Sequence, residues 1–111
     1  MTADEIRAMY RDFCQMPFKI RRYSGQPRAK VDTDVVGHIR LYSGKELVGT
    51  IVQGDVAVIV LVDDLVAEGF QLPITTADKV FDGRERAIQA PIGERKSLDG
   101  TLIAYELQAR G

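Results

Sequence analysis

The first segment of the chain has the apolar spacing of an amphipathic helix. Its apolar residues lie three or four positions apart: Ile6, Met9, Tyr10, Phe13 and Met16. Thr2 and Glu5 have the spacing of a capping box, in which the two side chains satisfy free backbone N–H groups at the helix start. Pro17 disfavours a helical conformation in the residue before it, so the helix should end near Met16. We therefore predict a helix over residues 3–15.

The next segment alternates apolar and polar side chains in the manner of a β-strand. Phe18 and Ile20 share one face, which predicts a strand over residues 18–23. Residues 24–34 contain glycine, proline and alternating charges, but they have no apolar period. We therefore predict a long mobile loop over residues 24–34.

Short strand patterns separated by turn signals fill the remainder of the chain, residues 35–111. The predicted strands cover residues 35–42, 47–52, 56–62, 79–81, 84–90, 91–98 and 101–109. The run Val56–Val62 is rich in β-branched residues and lacks polar alternation, so both of its faces should be covered in a central strand. The residues after this run, Asp63–Phe70, are predicted to form a helical turn that ends at Gly69. This pattern predicts a mainly β fold, a small β-barrel or sandwich with one N-terminal helix, in a single domain over residues 1–111.

The composition narrows the possible classes of function. Fifteen basic and sixteen acidic residues give a formal net charge of −1, which argues against a general nucleic-acid coat. The longest apolar run, Val56–Val62, is too short to cross a bilayer as a helix, and residues 1–5 lack the features of a signal peptide. We therefore expect a soluble, non-secreted protein. Cys14 is the single cysteine and should pack as a small apolar group.

Two polar features are candidates for reactive sites. The acid pair Asp63-Asp64, with Asp55 and Glu68 nearby, could hold a hard cation or act as an acid–base dyad. Because the calcium-loop spacing is absent, we favour the interpretation that these acids cap a turn. His38 could be a general base, but no nucleophile accompanies it in a recognisable context, which favours a surface or interface role. We predict no catalytic residue, metal or cofactor.

A cluster of cations around the first predicted strand is the strongest candidate for a binding surface. Cations and aromatic rings together can hold a nucleic-acid backbone, and arginine and tyrosine are also enriched in protein interfaces. Because acids elsewhere balance the charge, we favour a protein contact. The predicted assembly interface consists of Arg21, Arg22, Tyr23, Arg28, Lys30 and His38. The alternative is an OB-like nucleic-acid-binding module that uses Arg21, Arg22, Tyr23 and Arg28.

An ordered series of short motifs runs through residues 35–111. Its segments are Gly49–Val60, Asp64-Leu65, Phe70–Pro73, Ala77–Gly83, Arg86–Ile88 and Leu98–Gly111. They include a Gly-Asp strand start, an Asp-x-Val hairpin followed by Gly, and a closing Tyr-x-Leu-x-x-Arg-Gly. In this order the chain resembles the small head-completion or head–tail connector proteins that form the neck of tailed bacteriophages. The matching framework positions, interpreted as turn and core residues, are Gly54, Asp55, Asp78, Val80, Gly83, Gly100, Tyr105 and Gly111.

The resemblance implies a structural protein of the virion, made in the host bacterial cytoplasm and located in the neck. Such proteins are small β-barrels or sandwiches that assemble as a ring below the portal, close the filled capsid and present a docking surface for the tail. The expected partners are further copies of the chain, a portal or adaptor protein, a tail or tail-terminator protein, and passing DNA that is not read for sequence. No catalytic residue and no cofactor are implied.

Overall fold

The chain folds as a closed antiparallel β-barrel with one helix on its outer face. The computed structural model describes residues 2–25, 29–43, 45, 49 and 51–111. Its elements are α1 (Ala3–Phe13), β1 (Met16–Ser24), β2 (Ala29–Leu41), β3 (Val56–Leu61), α2 (Val62–Ala67), β4 (Lys79–Phe81), β5 (Glu85–Lys96) and β6 (Leu102–Arg110). The strands close in the order β1-β2-β3-β6-β5-β4. The predicted fold class, a mainly β barrel with an N-terminal helix, is confirmed.

Helix α1 begins where the sequence predicts and ends two residues earlier. The Thr2 hydroxyl accepts a hydrogen bond from the Glu5 backbone N–H at 3.2 Å and caps the first turn. The helix ends at Phe13 because Met16 already belongs to β1. The Met16 sulfur accepts a hydrogen bond from the Ile39 backbone N–H at 3.2 Å, which joins the start of β1 to β2.

Strand β3 is apolar on both faces, and part of its outer side packs under α1. Val58 and Val60 belong to the interior core, whereas Leu61 belongs to a second cluster under α1, against which Ile59 packs. That outer cluster consists of Cys14, Leu61, Ile103 and Ala104, with Ala3, Ile6, Tyr10 and Ile59 packed against it. The inner face of this strand and the outward Leu61 are buried as expected, whereas the outward Ala57 and Ile59 are half-buried. The Cys14 thiol is buried in the same outer cluster.

The barrel interior holds the main apolar core. Its buried members are Phe18, Ile20, Val35, Val56, Val58, Val60, Val62, Leu65, Phe70, Ile74, Val80, Ile88, Tyr105, Leu107 and Ala109. Gly37 allows β2 to approach β3 closely at this core. A Cβ atom at Gly37 would lie 2.1 Å from the Ile59 carbonyl oxygen and 2.7 Å from the Phe18 ring. Only glycine fits there without moving the backbone.

The prediction of a mobile loop over residues 24–34 is wrong. β2 begins at Ala29 and forms a continuous antiparallel ladder with β1. The register places Asp32 opposite Arg21, and their side chains form an ion pair at 2.8 Å. Residues 30–35 in fact alternate charged side chains with Val31, Thr33 and Val35, and the last two are buried, so the strand signal was present and was missed beside the Gly and Pro of the preceding turn. Residues 26–28 lie outside the described residues.

Two further strand predictions need revision. Half of the predicted strand over residues 47–52 lies outside the described residues, and its described positions, 49, 51 and 52, do not join a strand. The predicted strands over 84–90 and 91–98 are one strand, β5. The pairing of β5 with β6 shifts register between Gln89 and Gly93. Such an irregularity bends a strand without ending it, which explains why the sequence suggested two strands.

A helical turn follows β3, as the sequence predicts. α2 occupies Val62–Ala67, and the chain then reverses at Gly69, whose φ of +81° favours glycine. The Phe70 backbone N–H donates to the Leu65 carbonyl at 2.9 Å and closes this turn. Neither helix of the described chain is long and apolar enough to span a membrane.

Candidate interaction surface

Arg21, at the centre of the predicted basic surface, is buried in an ion-pair network. Its guanidinium lies 2.8 Å from Asp32 and 3.2 Å from Glu85. It also stacks on the Phe81 ring at 4.1 Å, and only 7% of Arg21 is exposed. The Tyr23 hydroxyl donates a hydrogen bond to Glu85, which lowers the pKa of that carboxyl together with Arg21. The positive charge of Arg21 is therefore neutralised within the chain.

Arg22 points to a different part of the barrel and fastens the connection before β4. Its guanidinium forms two hydrogen bonds with the buried Asp78 carboxylate, at 2.7 and 2.8 Å. It also donates to the carbonyl oxygens of Gln71 at 2.9 Å and Pro73 at 3.0 Å. The Phe70 ring lies 4.1 Å beneath the guanidinium. Arg22 is thus a structural cation, and Asp78 is its buried counter-ion.

A second buried carboxylate, Asp55, joins the start of β3 to the end of β6. Asp55 accepts hydrogen bonds from Arg110 at 2.9 and 3.0 Å and from the Gln108 amide at 2.8 Å. The Val52 backbone N–H donates to the same carboxylate at 3.1 Å. The hydrogen bonds from Arg110 are the main reason why the pKa of Asp55 is lowered to about 2. The Gly54-Asp55 motif and the closing motif of the chain therefore meet in space.

The acid pair after β3 holds α1 against the barrel. Asp63 lies 3.2 Å from Arg7, and Asp64 lies 2.8 Å from Arg11. Asp64 also accepts a hydrogen bond from the Val36 backbone N–H at 3.4 Å. Within the described residues, no three His, Cys, Asp or Glu side chains are grouped as a metal site would require. The contacts of Asp63 and Asp64 thus give them a role in packing the helix.

The remaining residues of the predicted interface lie in separate surroundings. Lys30 is exposed on β2, in register with Tyr23 of β1. The His38 ring lies 4.1 Å from the Phe13 ring at the end of α1. Arg28 lies outside the described residues. The structure therefore brings only part of the predicted surface together, around Glu85 on the outer face of the barrel.

The other framework positions occupy core and turn sites. Val80 and Tyr105 lie in the barrel interior, and burial raises the pKa of the Tyr105 hydroxyl. Gly83 lies in the turn between β4 and β5, and Gly100 in the turn between β5 and β6. These residues support the barrel and do not form a shared site.

In its first part, before His38, β2 has no strand partner among the described strands on the side away from β1. β2 pairs with β1 over residues 29–37 but with β3 only from His38 onward. The Val36 backbone N–H faces away from β1, toward Asp64. Because backbone groups alternate in direction along an antiparallel strand, the neighbouring even-numbered positions point the same way. We call this the open edge of β2; it consists of the backbone N–H and C=O groups of Lys30, Asp32 and Asp34.

A groove of about 420 Å³ lies between β2 and α2, beside the open edge. Its buried members Phe18 and Val35 form an apolar floor, and the exposed Asp34 and Glu68 lie at its rim. The full lining consists of Pro17, Phe18, Lys19, Asp34, Val35, Val36, Asp64, Ala67 and Glu68. We call this the edge groove. An apolar floor beside unpaired strand backbone is suited to binding another protein segment.

Sequence reasoning missed the edge groove and the partners of the buried acids. The groove depends on where β2 stops pairing with β3, which no local pattern encodes. The partner of Asp55 lies 55 positions along the chain, so spacing gave no signal for it. No family model, curated protein or solved structure gives a significant match to this chain.

Proposed function

We propose that this chain is a structural protein of the bacteriophage neck, whose copies form a ring that closes the DNA-filled head and joins the portal to the tail. The observation that carries this proposal is the open edge of β2 with the edge groove beside it. An unpaired strand edge is a ready template for a neighbouring chain. The motif series over residues 35–111 supports the same role through its resemblance to neck proteins.

A ring is the assembly that we propose for this surface. In that ring a neighbouring copy binds the open edge and the edge groove of β2 with a different part of its own surface. A contact between two different surfaces is heterologous, and it produces a ring when the rotation between neighbours closes. In the neck, the two rims of such a ring would bind a portal or adaptor protein on one side and a tail or tail-terminator protein on the other.

The charge distribution suits a channel through which DNA passes. The chain has a formal net charge of −1. Arg21 and Arg22 already bind carboxylates, which limits their attraction for phosphate. A strongly basic wall would retain the phosphate backbone, whereas a nearly neutral wall lets DNA move without sequence recognition.

The same ion pairs weaken the alternative of an OB-like nucleic-acid-binding module. That module would use Arg21 and Arg22 to bind phosphates. Each would first have to leave a carboxylate, and Asp78 would then stay buried without its cation. Saturable oligonucleotide binding in the experiment below is the result that would favour the nucleic-acid alternative.

The experiment combines imaging with a nucleic-acid binding assay on the purified chain. Negative-stain electron microscopy at physiological salt should show annular particles. Fluorescence anisotropy with a labelled single-stranded oligonucleotide should show no saturable binding at the same salt. The variant Arg21→Ala with Arg22→Ala is compared with Arg84→Ala, which removes an exposed cation of the β4–β5 turn.

Either of two results would refute the proposal. One is the absence of annular particles at every concentration tested. The other is saturable oligonucleotide binding that the Arg21→Ala, Arg22→Ala variant loses and the Arg84→Ala control retains. Circular dichroism of both variants checks that a loss of binding does not reflect unfolding.

A further inference from the structure

The turn between β5 and β6 presents a leucine to solvent in a fixed position. Leu98 is 94% exposed. The Ser97 backbone N–H donates to the Thr101 carbonyl at 2.9 Å, and the Gly100 N–H donates to the Ser97 carbonyl at 3.0 Å. Asp99 accepts hydrogen bonds from the Ser97 hydroxyl and from the Thr101 N–H. We call residues 97–101 the Leu98 turn; its hydrogen bonds hold the leucine away from the chain's own core.

The edge groove has the properties that a leucine side chain requires. Its floor includes the buried Phe18 and Val35, and Ala67 leaves space at its α2 wall. A volume of about 420 Å³ is ample for one leucine side chain and part of the turn that carries it. An exposed leucine alone does not indicate a binding site, since folded proteins expose many apolar atoms. The exposed leucine and an apolar groove of matching size together do indicate a contact.

Charges beside the leucine match charges beside the groove. Lys96 is exposed next to the Leu98 turn, and it has no ion pair within the described residues. Glu68 is exposed at the groove rim and likewise has none within the described part of the chain. The other two rim acids are offset, Asp34 by Lys19 and Asp64 by Arg11. Glu68 is thus the rim acid available to a cation brought by a partner.

We propose that the Leu98 turn of one copy inserts into the edge groove of the next copy, with Lys96 against Glu68. This inference rests on the proposed function, because it specifies the contact between neighbours in the ring. The turn lies between β5 and β6, whereas the groove lies between β2 and α2, so the two surfaces share no residue. In the proposed ring, each copy inserts its turn into one neighbour and receives the turn of the other neighbour in its groove, so the contact is heterologous.

The test uses two exposed positions whose substitution leaves the core of the chain intact. Leu98→Ser removes the inserted side chain, and Ala67→Arg fills the groove. Leu41→Ser is the matched control, because Leu41 is also an exposed leucine but does not line the groove. Size-exclusion chromatography with light scattering measures the mass of each variant. Leu98→Ser and Ala67→Arg should each weaken association roughly 10- to 100-fold, the effect of losing one buried leucine, and the control should assemble like the wild type.

A mixing experiment tests whether the turn of one copy binds the groove of another. The Leu98→Ser variant keeps an intact groove, and the Ala67→Arg variant keeps an intact turn. An equimolar mixture should therefore form dimers with one working contact and nothing larger. In a separate chain, Lys96→Glu should weaken assembly, and adding Glu68→Lys to that chain should restore it. Thermal melting checks that every variant is folded like the wild type.

The outcomes separate this inference from the proposed function. A Leu98→Ser variant that assembles like the wild type would overturn the inference and leave the ring intact as a proposal. Single variants that are monomeric but form no dimer on mixing would also overturn it, because the contact would then not join turn to groove. A wild-type chain that stays monomeric at all concentrations would overturn both.

Discussion

Removing the Asp55 carboxylate should destabilise the barrel far more than removing an exposed acid. Asp55 is buried and accepts hydrogen bonds from Arg110, Gln108 and the Val52 N–H. In Asp55→Ala these donors lose their acceptor. Breaking a buried ion pair typically costs about 3–5 kcal/mol. The Arg110 side chain is 42% exposed and can be hydrated, so we expect the lower end, about 3 kcal/mol.

This loss should be large on the thermal scale. For a domain of this size, each kcal/mol lowers Tm by roughly 4–8 °C, so Asp55→Ala should melt roughly 12–24 °C below the wild type. Asp55→Asn keeps the size and one oxygen of the side chain but loses its charge, so its Tm should lie between those of the wild type and Asp55→Ala. Urea denaturation followed by circular dichroism gives the free energy of unfolding of each variant.

The control is Glu106→Ala, which removes an acid from a solvent-accessible pair. Glu106 lies 2.7 Å from Arg95, and both side chains are more than one-third exposed. Exposed pairs contribute about 0–1 kcal/mol, so this variant should stay close to the wild type. An Asp55→Ala variant that loses no more stability than Glu106→Ala would refute the view that the Asp55 cluster joins β3 to β6.

Three further results are expected. Gly37→Ala should cost roughly 1–3 kcal/mol or more in urea denaturation, because its Cβ would lie 2.1 Å from the Ile59 carbonyl oxygen; an unchanged midpoint would contradict this. The pKa of Asp55 is lowered to about 2, so its contribution is complete above pH 3.8 and disappears as the pH falls toward 2. The expected decrease is about 1–2 kcal/mol in a pH series of urea melts, and Asp55→Asn should show a smaller one; equal decreases would count against it. Arg22→Ala should lower Tm by several degrees because Asp78 stays buried without its cation, and calorimetry giving a wild-type Tm would exclude that role.

Local sequence patterns were sufficient to predict helix α1 and strand β3. The apolar spacing of α1 and its cap at Thr2 predicted a helix that begins at Ala3. The unbroken apolar run of β3 predicted burial on both faces, and in the structure the barrel interior covers one side and α1 covers part of the other. Each of these signals involves residues close together in the chain.

The β1–β2 hairpin escaped prediction although Val31, Thr33 and Val35 alternate with charged residues, because the alternation is short and follows a Gly- and Pro-containing turn. Asp32 lies 11 positions from Arg21 in the sequence, but in the barrel the two residues lie opposite each other. The same physics hid the role of the basic cluster. Arg21 and Arg22 resemble a free binding surface when only the sequence is considered, and the fold gives each of them a carboxylate partner. A single sequence contains the charges but not the register that pairs them.

The edge groove could not be predicted because it arises from the offset between two ladders. β2 leaves β1 and joins β3 only at His38, and α2 packs beside the segment left open. Leu98, by contrast, is the last residue of the predicted strand over residues 91–98, and the structure places it in the turn after β5. What the sequence could not indicate was a groove in the same fold able to receive it.

The central claim, that copies of this chain assemble into a closed ring, is tested most directly by sedimentation velocity of the wild-type protein over a wide concentration range. We predict one discrete oligomer, with a mass that is a whole multiple of the chain mass and that stays constant as the concentration rises. A monomer at every concentration, or a series of species that lengthens without limit, would contradict the claim.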